Sequence, residues 1–182
     1  MGFPYKAFIS YSRENTDQAQ WLRKRLASTE RFKNELNEKT IFLDTAKIAA
    51  GAGLDEIIVA ALQESEFLIL LCTPESAKSA YVDLEIRNFK NIHGNERIIA
   101  CVFSGEPKFP DGTPKRLEHA PGKGQCLPRA LRFKINAKGE TIIDPEEQSV
   151  FADFRKENRE NEGNALVSVV CALFGLDFGE EI

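Results

Sequence analysis

The chain has 182 residues, 42% of them hydrophobic and 29% charged, with a formal net charge of −4. That balance builds one globular domain with a full core, expected to span residues 1–182. The acidic excess gives no basic stripe for nucleic acid, and no apolar run nears the ~20 residues that cross a bilayer; neither nucleic acid nor membrane is an expected partner.

Residues 5–11 read as a first strand, short and rich in aromatic and β-branched side chains. Asn15 with Gln18 three residues on resembles a capping box, and Ala19, Leu22 and Leu26 then recur at helical spacing to about Ser28. A polar stretch leads to a second strand at 40–43. Gly51 and Gly53 punctuate the loop that follows. Leu54, Ile57, Ile58, Ala61 and Leu62 then mark a second helix, with Asp55 and Glu56 in its first turn where the dipole favours anions.

The apolar run 67–72 has the pattern of a central parallel strand covered on both faces. Thr73-Pro74 ends it, and Ser76 or Ser79 opens a helix carrying Tyr81, Glu85 and Phe89 down to Gly94. Residues 97–103 read as a fourth strand. Strand and helix alternate, which argues for an α/β domain with a parallel sheet and right-handed crossovers. The rhythm breaks in 104–128, a Pro/Gly-rich excursion of a length that tends to be functional. Residues 130–135 read as the fifth strand and Lys138-Gly139 as a turn before 141–143. A charged segment leads to a last helix at 164–174, with Leu166, Val169, Val170 and Leu173 inward and Gly175 as C-cap.

Cys72, Cys101, Cys126 and Cys171 are far apart and form no Cys-x-x-Cys, so reduced core thiols and a cytoplasmic location are expected. His93 and His119 have no ligand-spaced partners, and no metal is expected. The most informative stretch is Ser79-Ala80-Tyr81-Val82-Asp83-Leu84-Glu85. On a helix, Tyr81 and Glu85 lie one turn apart on one face, with Ser79 placed to cap free backbone N–H groups. A ring that can stack on a flat heterocycle, beside a carboxylate that can hold ribose hydroxyls, suits a nucleotide. The bland alternative is an ordinary half-buried surface pair.

Three pieces occur in order: Phe8-Ile9-Ser10-Tyr11-Ser12, Phe42-Leu43-Asp44 before a glycine-containing loop, and Ser79-x-Tyr81-x-x-x-Glu85. Together they resemble the TIR (Toll/interleukin-1 receptor) domain, specifically its bacterial members, over most of the chain. The resemblance implies a flavodoxin-like three-layer fold with a central five-stranded parallel sheet of order 2-1-3-4-5 and ligands at the carboxyl ends of the strands. It implies cleavage of NAD at the nicotinamide–ribose bond, with Glu85 as the catalytic carboxylate opening into a crevice at those strand ends. NAD enters as substrate, and no cofactor is expected.

The resemblance further implies Ser12, Arg13, Asp44, Lys47, Ser79 and Tyr81 as substrate-binding candidates. Tyr81 stands where many relatives carry tryptophan, which leaves a ring with a smaller π surface. Residues 44–53 correspond to the family's BB loop, which covers the cleft and packs against a neighbouring TIR unit. The expected partners are other TIR domains, as a homo-oligomer or filament, and the implied setting is bacterial antiphage or immune-type signalling. The product, whether ADP-ribose, a cyclised form or a base-exchanged dinucleotide, stays open, as does a chain that is the N-terminal part of a longer protein.

Rival readings fare differently. A phospho-receiver would need aspartates where Ser10-Tyr11-Ser12 and Cys72-Thr73 stand, and Gly-x-Ser-x-Gly is absent for a hydrolase elbow. Gly51-Ala52-Gly53 follows the second strand and has Glu56 at the third glycine position, so it is no dinucleotide fingerprint. A nucleoside deoxyribosyltransferase-like enzyme also places a carboxylate on this scaffold. The alternative from another class is a non-catalytic TIR scaffold acting through homotypic contacts.

Overall fold

The computed structural model describes residues 2–44, 56–108, 124–144, 150–155 and 162–177. In chain order the elements are β1 (Tyr5–Ser10), α1 (Thr16–Ala27), β2 (Ile41–Leu43), α2 (Glu56–Gln63), β3 (Ser65–Cys72), α3 (Pro74–Lys78), α4 (Ala80–His93), β4 (Ile98–Val102), β5 (Phe133–Ile135), β6 (Thr141–Ile143), β7 (Val150–Asp153) and α5 (Glu162–Phe174). Five strands form one sheet in the order β2-β1-β3-β4-β7, with every pair parallel. This is the flavodoxin-like arrangement, in which the order reverses beside β1.

Strand alternation sorts the core into two layers. Ala7, Ile9, Ile69, Leu71, Ile99 and Cys101 pack with Ala19, Leu22 and Leu26 of α1 and with Val169, Val170 and Leu173 of α5. Phe8, Leu68, Leu70, Ile98 and Ala100, on the other face, pack with Ile58 and Leu62 of α2 and with Val82, Ile86 and Phe89 of α4. The sheet is thus covered on both sides, as its continuous apolar strands require. All four cysteines are buried thiols.

One strand assignment is corrected. Residues 130–135 do not supply the fifth strand of the sheet; Val150–Asp153 does, pairing with β4 from Ile99↔Val150 to Val102↔Asp153. Arg129–Arg132 instead forms a 3-10 turn, and β5 pairs antiparallel with β6 in a separate hairpin. Lys90 explains the diversion: its Nζ, buried under α4, donates to the carbonyls of Ala130 and Leu131 at 3.0 Å each, and to that of Phe133. Those carbonyls point at a helix, so the 129–133 backbone is held off the sheet edge. Gly139, at φ +79°, makes the expected hairpin turn, where any other residue would be strained.

The ends of the helices follow local chemistry. Gly175 adopts φ +65°, and Leu176 N–H reaches back to the Cys171 carbonyl at 2.9 Å, closing α5. Asn15 precedes α1, but its side chain makes no cap bond, so the expected capping box with Gln18 does not form. Its oxygen is engaged elsewhere, at the tips of the strands.

Candidate active site

The carboxyl ends of β1, β2 and β3 carry a set of buried polar residues that the apolar sheet does not need for packing. Ser10, Ser12, Asn15, Asp44, Thr73, Ser76 and Glu85 are all buried there. Buried polar groups are costly unless hydrogen-bonded, so their bonds identify what each one does.

Ser10 ends β1 two residues after Phe8, on the face that α4 covers. Glu85 sits in the inward stripe of α4 among Val82, Ile86 and Phe89, and both Ser10 and Glu85 are 0% exposed. Ser10 Oγ donates to Glu85 Oε1 at 2.8 Å, and Oε2 is buried as well. The expectation that this carboxylate opens into a crevice is therefore corrected: it lies at the strand ends but is sealed. Its place in an apolar helix stripe and the hydroxyl beneath it account for the burial.

Tyr11 points to the opposite face and is 2% exposed; its hydroxyl donates to the carbonyl of Asp44. Because Ile9 pairs with Leu43 in register, the residues just beyond them meet. The Tyr11 phenol is pushed above its ordinary value of 10.0, first by burial, then by the Asp44 and Glu85 carboxylates, with Arg23 opposing. Tyr11 thus lies within the field of both acids, one from β2 and one from α4.

A second tie joins α1 to β3. Thr73 Oγ1 donates to Asn15 Oδ1 at 2.7 Å and accepts from Ser76 N–H at 3.0 Å, while Ser76 Oγ accepts from Thr73 N–H at 2.8 Å. This is a complete capping box at the start of α3, with Pro74 in its first turn. It fixes the strand tip from which the chain enters α4.

The remaining candidates have more local engagements. Ser79 Oγ accepts from Val82 N–H at 3.2 Å and caps α4, as its position in the sequence suggested. Tyr81, one turn before Glu85, is half-buried with its hydroxyl oxygen buried. Ser12 donates to the Glu14 carboxylate, which that bond above all holds below its ordinary value of 4.5. Arg13 is exposed in the 3-10 turn that follows. Lys47, Gly51 and Gly53 lie outside the described residues.

The structure therefore places Asp44 and Glu85, both sequence candidates, near enough to Tyr11 to raise its pKa, and adds Ser10 and Tyr11, which stand in the first motif but were not singled out as site residues. The signal for Ser10 was present: a serine at the parity of Phe8, closing a buried strand, must find a partner on the covering helix. Chemically, the cluster offers two buried acids and a phenol, with the Arg23 cation near enough to act on that phenol.

Comparison with known proteins bears on the family to which the chain belongs. A family model described as the TIR domain matches residues 7–125, a stretch that includes Ser10, Asp44, Tyr81 and Glu85. The NAD(+) hydrolase ApTIR of Actinoplanes sp. is 34% identical over 103 residues, which is 56% of this chain and 14% of that protein. The chain thus spans a small part of that relative's length. Among solved structures, the TIR domains of the activated Roq1 resistosome align with a TM-score of 0.42 at 19% identity, covering 57% of this chain and 60% of that one. With the family model covering most of its length and the parallel sheet in the expected order, this chain belongs to the TIR-domain family.

Proposed function

We propose that the protein cleaves NAD at the nicotinamide–ribose bond, with Glu85 as its catalytic carboxylate. The observation that carries this reading is the placement of Glu85: an acid at the carboxyl ends of a parallel sheet, held by a hydroxyl from an inner strand. The identity to an NAD(+) hydrolase supports it.

The chemistry needs little more than that acid. The bond from ribose C1′ to the pyridinium nitrogen breaks with its electron pair moving to nitrogen, and nicotinamide leaves neutral. The ribosyl group becomes oxocarbenium-like, and a carboxylate in a low-dielectric setting stabilises it strongly. Water then adds at C1′ and loses a proton, giving ADP-ribose; attack by a group within the same molecule gives a cyclic product. Tyr81 supplies a ring near the helix start, and Asp44, Ser12, Arg13, Ser79 and Lys47 remain the proposed substrate contacts.

A sealed carboxylate also fits an enzyme that is quiet as a monomer. In this reading, assembly with further TIR domains shifts the groups around Glu85 and admits NAD, and signalling in bacterial defence, in the cytoplasm, is the setting. The same burial favours one second reading, a non-catalytic scaffold in which Glu85 is only structural.

Nicotinamide release separates the two. Wild type and Glu85→Gln are incubated with NAD across a range of protein concentrations with and without a crowding agent. The enzyme reading expects release that rises more than proportionally with wild-type concentration and is absent from the variant. No release by wild type under any assembled condition supports the scaffold.

A further inference from the structure

We propose that Ser10 is a positioning residue for Glu85: its hydroxyl anchors one carboxylate oxygen and so fixes the plane in which the other is presented to the ribose. This inference rests on the NAD-cleaving reading above and adds to it a role for Ser10, which stands in the first motif but was not among the site candidates.

Two observations and two general principles lead to it. Ser10 and Glu85 are both 0% exposed and joined at 2.8 Å, so this bond lies in an apolar layer where an unmatched hydroxyl would be costly. Ser10 belongs to β1, which is flanked by β2 and β3, with Ser10 itself in register with Leu70. A donor on an inner strand is held more rigidly than one on a loop. Finally, the terminal torsion of a glutamate is broad, so nothing intrinsic to Glu85 fixes the plane of its carboxylate. The Ser10 bond pins one oxygen of it. When the surroundings of the carboxylate rearrange to admit substrate, the strand stays and Oε1 stays with it.

Because it is fully buried on the sheet side of the carboxylate, Ser10 acts through Glu85 and touches neither NAD nor the reacting atoms. Its donor also favours the ionised carboxylate, and its loss raises the acid's pKa. The titratable neighbours on other parts of the site are Tyr11 at the end of β1, Asp44 after β2 and Arg23 on α1. These are unchanged by a substitution at position 10.

The test compares wild type, Ser10→Ala and Ser10→Thr in the NAD assay under assembling conditions, across pH. In parallel, the Glu85 carboxyl is titrated by carbon-13 NMR in substrate-free protein. The expected result is a kcat about 10- to 100-fold lower in Ser10→Ala, as for loss of one hydrogen bond to a charged group. KM stays within about twofold, the acid limb of the pH profile and the Glu85 titration both move to higher pH, and Ser10→Thr restores most of the rate. An active Ser10→Ala with the wild-type kcat and acid limb overturns the inference and leaves the NAD reading intact. Wild type without activity overturns the NAD reading, and the role of Ser10 in catalysis with it; the NMR titration then reports separately whether the bond governs the acid. Should Ser10→Ala fail to fold, Ser10→Cys, a weaker donor of similar size, replaces it with the same expected order of rates.

Discussion

Two buried polar clusters lie at the carboxyl edge of the same sheet, and they are built on opposite principles. At the end of β7, Arg155 is 1% exposed and grips Asp153 through Nε and Nη2 at 2.9 Å each. Its Nη1 also donates to the Gly105 carbonyl at 3.4 Å. Charge meets opposite charge there. At the ends of β1 and β2, by contrast, Glu85 receives a neutral hydroxyl, and Asp44 and Tyr11 add acidic groups to the same neighbourhood. The first cluster is a staple between β7 and the segment after β4. The second gathers two acids and a phenol in a dry setting, with Arg23 near enough to oppose the acids' effect on Tyr11; buried titratable groups of this kind often mark catalytic sites.

The sharpest way to break the comparison is to remove the staple. Arg155→Met leaves Asp153, whose side chain is only 13% exposed, without its cation, and should cost about 3–5 kcal/mol in urea denaturation. Activity per folded molecule should hold. Glu85→Gln should do the reverse: nicotinamide release falls by about 10²- to 10³-fold, while the melting temperature stays near wild type or rises. If both substitutions act on stability and neither on turnover, the two clusters are alike and the contrast fails.

Smaller effects refine it. Thr73→Val removes the donor to Asn15 and the acceptor for Ser76 N–H, and a loss of about 1–3 kcal/mol in urea is expected. The smallest effect is in Tyr11. Its folded pKa is raised above 10.0, so its protonated form contributes stability that is complete below that pH and is lost as pH rises beyond it. Denaturation curves should show wild-type stability falling more steeply above pH 10 than that of Tyr11→Phe. Equal slopes would remove Tyr11 from the acidic cluster.

Much of this architecture was legible in residue patterns, and the exceptions have physical causes. The strands β1, β3 and β4 announce themselves as apolar runs, and α1, α4 and α5 by helical spacing, because burial on one or two faces dictates both. The run 130–135 looked like the last strand since it is apolar and β-prone. Its fate depended on Lys90, 40 residues earlier, whose ammonium captures the carbonyls of the turn before β5. The true edge strand, β7, is four residues long with a single fully buried position, Ala152, and lies between charged stretches. No periodicity of that length stands out.

At the site, Glu85 and Asp44 were recoverable from motif order, whereas their burial was not. Asn15 illustrates the limit. Its spacing to Gln18 suggested a helix cap, yet its oxygen serves Thr73, 58 residues away in sequence. Local patterns report what a residue could do, and long-range pairing decides which option is used. Ser10 is the converse case, in which strand parity alone would have pointed under α4.

The central claim, that the sealed carboxylate of Glu85 is the group the ribose meets, is tested most directly by a structure of the assembled protein with a non-cleavable NAD analogue. The account predicts the ribose hydroxyls or C1′ of the analogue against Glu85 Oε2, with Oε1 still on Ser10. An analogue bound elsewhere on the assembled protein, with Glu85 still closed over, would contradict it.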